Sequence, residues 1–159
     1  ALVCERCKAP VFAESVSVKS AEKLLDVLDK ICLVVCSRSE AEVLSGIRIR
    51  DKDTLERAAD IIMEKGVKNV FILVEKGVYC ACYDEQFMQN AGGSVEQISS
   101  NGAKDAFMAG VTFGFMKHMN IRQLAKLGQA AAGITLEVEE NVNQQLCVPA
   151  VAERAKVEL

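Results

Sequence analysis

Apolar residues gather along this chain in two kinds of run that alternate. Short, nearly continuous ones, PVFAESV (10–16), ICLVVC (31–36), KNVFILV (68–74) and VYCACY (78–83), have the length and β-branched content of strands. Between them lie stretches with helical spacing. KSAEKLLDVLDK (19–30) sets Leu24, Leu25 and Leu28 on one stripe. DKDTLERAADIIMEKG (51–66) spaces Leu55, Ala58, Ala59, Ile62 and Met63 along one face, with Asp53 as the N-cap and Gly66 as the stop. Strand, helix and strand in that order predict βαβ crossovers, and the turn EKG between the last two runs predicts a hairpin near one edge of a mixed or parallel sheet. Beyond NAGGSVEQISSNG (90–102), helical patterns cover 103–118, 121–138 and 148–157. The chain reads as α/β, with about five strands and its helices massed towards the C-terminus.

No repeat, low-complexity segment or Pro/Gly-rich linker interrupts this pattern, so residues 1–159 are expected to form one domain. About five strands is few for a sheet that needs helices on both faces and neighbours on both edges, so part of the sheet is expected to be missing. Half the residues are apolar, enough to build a core. A net charge of −3 with both signs interspersed, two Tyr and six Phe offer neither the basic footprint nor the stacking platform of a nucleic-acid binder. There is no apolar run of membrane-spanning length and no signal-peptide order at the start, so no membrane partner is expected and the protein reads as soluble. Seven scattered Cys, an odd count, argue against a disulfide framework and for the cytoplasm. Cys4 and Cys7 have C-x-x-C spacing, but no second Cys/His pair follows and His118 is alone, which leaves a tetrahedral zinc site short of ligands. Cys80 and Cys82 alternate along a strand and read as packing.

The densest chemistry lies in SSNGAKDAFMAG (99–110). Amides at a helix start have no intrahelical acceptor and can take an anion, and Gly102, Ala103 and Lys104 would present such amides. Asp105 would sit on the first turn, stabilised as a carboxylate by the same dipole. The same residues also fit an ordinary capped helix, with Asn101 as the cap and Asp105 as a favourable acid.

Four segments in this order, VCSRSEAEVLSG (35–46), GVKNVFILVEKGVYCACYDE (66–85), NGAKDAFMAGVTFGFMKHMNI (101–121) and LGQAAAGITLEVEENVNQQL (127–146), resemble the C-terminal half of the ribokinase-like, or PfkB, family of sugar and nucleoside kinases. Within it, VEENVNQQL (138–146) is most similar to the T-V-N-P-x-L ending of pseudouridine kinases. The resemblance implies a ribokinase-like three-layer α/β/α fold, of which this chain would be the nucleotide-site half, beginning at VFAESVS (11–17) with the substrate half and lid absent. It implies ATP-dependent phosphoryl transfer to a hydroxyl of a sugar or nucleoside, pseudouridine included, with this chain inactive in isolation. ATP and magnesium would be the cofactors, a nucleotide and a sugar or nucleoside the partners, and a second copy or an N-terminal half the complement. By the same resemblance Asp105 is the catalytic base, and Gly102, Ala103 and Lys104 form the anion hole. Ser37, Glu40, Val74, Gly77 and Gln129 contact the nucleotide, with Glu40 holding magnesium through water.

The chain departs from the family pattern at four places, three of them nucleotide-contacting positions. P-N reads Cys36-Ser37, T-L-G reads Ile72-Leu73-Val74, G-A-G-D reads Gly102-Ala103-Lys104-Asp105, and the upstream D-P reads Glu14-Ser15. Two of these put a side chain where a Gly lets backbone approach phosphate. Losing one donor aimed at developing charge costs about 2.7–4 kcal/mol of transition-state stabilisation. Lys104 either obstructs the cradle or supplies a surrogate charge. The packing residues Ala106, Phe107, Ala109, Gly110, Phe113 and Gly114, and Ala130 to Gly133, keep the pattern. Packing kept beside altered chemistry leaves a second expectation: a pseudokinase without need of ATP or magnesium for transfer, acting as an interaction or nucleotide-sensing module.

Overall fold

The computed structural model describes residues 6–75, 77–90, 101–138 and 143–159. Cys4, most of the 90–102 loop and part of the VEENVNQQL ending lie outside the described residues. Two compact units divide the chain: Ala1–Val74 with Tyr79–Met88, and Glu75–Val78 with Gln89–Leu159.

Most of a five-stranded sheet of order β1-β2-β3-β4-β5 falls in the first unit. Its strands are β1 (Phe12–Glu14), β2 (Leu33–Ser37), β3 (Asn69–Val74), β4 (Gly77–Cys82) and β5 (Gln86–Asn90). β1 and β2 are parallel with Phe12 opposite Leu33, and β2 and β3 are parallel with Val34 opposite Val70. β3 and β4 are neighbours in the sheet with only two residues between them in the chain, and the sheet is mixed, as expected. Val34, Cys36, Val70 and Ile72 join one core cluster, while their neighbours Val35 and Phe71 are also fully buried, so both sheet faces are covered. That burial is why these strands are continuous apolar runs rather than alternating ones. The fifth strand, QFMQN, is half-buried and too polar to stand out as a strand in the sequence.

The helical pattern over 19–30 is two elements, not one. Ser17 caps a short helix, α1 (Val18–Glu22), and a 3₁₀ helix follows over Leu25–Lys30. The tighter winding turns Val27 and Leu28 into the core and leaves Leu25 exposed, which corrects the Leu24–Leu25–Leu28 stripe. α2 (Arg38–Ser45) follows β2, and α3 (Lys52–Glu64) follows α2. The cap of α3 is Asp51 rather than Asp53, because Thr54 returns its hydroxyl to the Asp51 amide and completes a capping box two residues earlier.

The second unit holds α4 (Asn101–Met116), α5 (Ile121–Thr135) and α6 (Val148–Ala155). Asn120 caps α5, and buried Asn143 donates Nδ2 to the Ile134 carbonyl at its far end, 2.7 Å away. α4 and α5 pack with almost no side-chain spacer: a Cβ on Gly110 would stand 2.6 Å from the Leu127 carbonyl oxygen. Ala106 and Phe107 are buried in this contact as expected, but Ala109 is exposed. No helix among the described residues is long and apolar enough to cross a membrane.

Candidate functional site

In the first unit the site residues lie where β2 runs into α2. Ser37, half-buried, leaves the strand as the N-cap of α2. Its amide donates to Glu40 Oε2 at 2.8 Å, and its hydroxyl accepts from the Glu40 amide at 3.4 Å, a reciprocal capping box. Glu40 is only 5% exposed, so it is not a surface acid. A second set of contacts, not foreseen in the sequence, braces the same helix. Arg38 donates Nε to the Ile49 carbonyl at 3.0 Å, and its Nη2 donates to the same oxygen. One turn later Glu42 Oε1 accepts the Ile49 amide at 2.9 Å, and Glu42 Oε2 accepts Arg48 Nη1 at 3.2 Å. The Ile49 amide, with Arg48 and Arg38 beside it, holds the Glu42 carboxyl below the usual carboxylate range. The i,i+4 spacing of Arg38 and Glu42 was the one signal available in the sequence. Val74 closes β3, half-buried.

The other candidates belong to the second unit. Gly77 opens β4, buried, at φ 149°, a conformation L side chains rarely adopt. On α4, Gly102 and Lys104 are half-buried, Ala103 is fully buried and Asp105 is exposed. The helix starts at Asn101, two residues before the pattern predicts, so its first turn carries no acid and Asp105 stands just beyond it. Asn101 is itself helical, which removes it as the cap. Gln129, half-buried on α5, donates Nε2 to the Gln89 carbonyl at 3.0 Å; its amide is thus engaged with the end of β5.

These donors suit an anion at the start of α4 in kind, since first-turn amides are unfilled by the helix itself. Lys104 brings a cation on the half-buried side chain between them. Direct metal binding fits less well. No group of three or more His, Cys, Asp or Glu that could hold a metal occurs among the described residues, and Glu40 is deeply set with one oxygen on the Ser37 amide. A magnesium ion that keeps its waters and takes most of its charge from phosphates asks no more than one such carboxylate. Of the cysteines, Cys7 is exposed, Cys80 is buried and Cys82 is half-buried, all as free thiols.

The chain is 32% identical over 128 residues to the uncharacterized sugar kinase YeiI of Escherichia coli K12, and 27% identical over 140 residues to the pseudouridine kinase of the same organism. These matches cover 79% and 87% of this chain but only 35% and 45% of the relatives, so the chain spans less than half their length. Among solved structures, a candidate sugar kinase from Clostridium perfringens superposes with a TM-score of 0.87 at 27% identity, over 94% of this chain and 47% of that one. The ribokinase of Thermotoga maritima, at 20% identity and a TM-score of 0.76 over 98% of this chain and 52% of that one, shares the fold. The family model for pfkB family carbohydrate kinases matches residues 3–145, nearly the whole chain, and the chain belongs to that family.

Proposed function

We propose that this chain supplies the nucleotide-side portion of an ATP-dependent kinase that phosphorylates a hydroxyl of a sugar or nucleoside. The observation that carries the reading is the start of α4, where Asp105 is exposed while its neighbours Ala103, Ala106 and Phe107 are buried. A packed helix with a single bare carboxylate near its positive end is suited to orient an acceptor hydroxyl and take its proton late in transfer. Gly102, Ala103 and Lys104 receive the phosphate charge, and Glu40, held by Ser37, orders the water around magnesium when the metal is bound. ATP with magnesium supplies the phosphoryl group. Pseudouridine is one acceptor to test, because of the VNQQL ending and the similarity to a pseudouridine kinase.

The chain alone is expected to release no ADP, so the test is acceptor-dependent release of ADP from magnesium-ATP with ribose, adenosine or pseudouridine by a full-length kinase in which this chain is joined to a substrate half. Transfer lost in Asp105→Asn, with ATP binding retained, supports the reading. A second reading, nucleotide sensing without transfer, is favoured by Lys104 and Val74 at positions where the family pattern has Gly. It expects calorimetric ATP binding, no ADP release with any acceptor, and no effect of Asp105→Asn.

A further inference from the structure

Arg38 and Glu42 spend two charged side chains on one buried residue of a connecting loop. Ile49 is 4% exposed, with its side chain in the core cluster of the first unit. It lies between the end of α2 and the Asp51 cap of α3. Arg38 at the first position of α2 takes its carbonyl with two nitrogens, and Glu42 one turn on takes its amide at 2.9 Å. Charge-assisted bonds of this kind are roughly twice as strong as neutral ones. Arg38 is otherwise exposed, so a shorter polar residue would satisfy solvent there at less rotamer entropy.

We propose that Arg38 and Glu42 are positioning residues for Glu40. The capping box fixes the Glu40 carboxylate relative to Ser37, but it moves with the first turn of a helix of only eight residues. Helix ends fray, and this end carries the carboxylate. Ile49 is anchored in the core, so bonding both of its backbone groups from α2 ties the first turn to the core and sets the direction in which Glu40 meets the water around magnesium. This inference rests on the reading of Glu40 given above.

The test compares ATP dissociation constants measured by calorimetry in EDTA and in excess magnesium; the EDTA value divided by the magnesium value is the linkage between metal and nucleotide. Glu40→Gln examines the underlying reading, and its ratio should fall towards one. Arg38→Met and Glu42→Gln should each lower the ratio, by less than Glu40→Gln does. Arg38→Lys, which keeps one charged donor, should lower it less. A part that is only structural would lower the melting temperature and weaken both constants together, leaving the ratio unchanged. That result in both Arg38→Met and Glu42→Gln, beside a lowered ratio in Glu40→Gln, overturns the positioning role. An unchanged ratio in Glu40→Gln overturns the magnesium reading itself, and the inference with it.

Discussion

At the scale of single residues, Lys104 decides how the start of α4 treats an anion. It is half-buried in the first turn, between buried Ala103 and exposed Asp105. If its stem occupies the space that phosphate needs, Lys104→Gly should tighten ATP binding, because the helix amides and dipole become reachable. The same change should lower the melting temperature modestly, since Gly costs up to about 1 kcal/mol in a helix. Calorimetric titration of both proteins at two salt concentrations checks this. Weaker binding in the variant, with a shallower salt dependence, would show Lys104 to be a working charge instead. How far the site could be read in advance follows from the same residues. Asp105 and Glu40 stand out as candidates because their sequence neighbourhoods are distinctive. That Glu40 is buried in a capping box, and that Gln129 is engaged by the Gln89 carbonyl, depends on partners brought together by folding, and no spacing announces the second.

Among the elements, the α4–α5 pair gives the sharpest test. Gly110→Ala places a Cβ 2.6 Å from the Leu127 carbonyl oxygen and 3.0 Å from the Gly128 Cα, backbone atoms that cannot step aside. Gly114→Ala meets only the ends of Leu124 and Leu127, at 2.7 and 2.8 Å, which rotate more easily. Overpacking of about 1–3 kcal/mol should outweigh the roughly 1 kcal/mol of helix propensity gained at Gly110, and less so at Gly114. Urea denaturation should therefore rank wild type above Gly110→Ala, with Gly114→Ala the milder change; equal midpoints for the two variants would contradict the packing described. α3 supplies a pH test. The Thr54 hydroxyl and amide hold the Asp51 carboxyl below its ordinary range. A depressed carboxylate stabilises the fold above its unfolded pKa and loses that contribution as pH falls through the folded value. Asp51→Ser keeps a cap that does not titrate, so the gap in melting temperature between it and wild type should narrow as the solution is made acid. The helices and buried strands were legible because periodicity and continuous apolar runs reflect burial. β5 and the break between α1 and the 3₁₀ helix were not, because a half-polar strand and a tightened turn follow from tertiary contacts rather than from pattern.

For the whole molecule, the sheet leaves β1 as an outer strand among the described residues. β1 has only three residues, all half-buried, and Val16 beside it is 85% exposed. An exposed apolar side chain beside an outer strand favours packing against a second copy. Sedimentation at rising concentration should show self-association, reduced by Val16→Lys; a single monomeric species throughout would rule it out. Tyr79 has a different kind of consequence. The chain contains no Trp and two Tyr, of which Tyr79 is 1% exposed and Tyr83 is 95% exposed. The Tyr79 hydroxyl donates to Gln86 Oε1 at 2.7 Å, and Gln86 Nε2 donates to Asp60 Oδ1 at 2.6 Å. Burial, with Glu56 and Asp60 nearby, drives the Tyr79 phenol far above its ordinary value, so it stays protonated in alkali until the first unit opens. The native emission of this protein therefore comes from one sealed phenol and one bare one, which a water-soluble quencher can tell apart. Replacing Tyr83 with Phe would leave a single intrinsic lamp, set between a sheet and a helix, that reports the opening of the first unit without any attached dye.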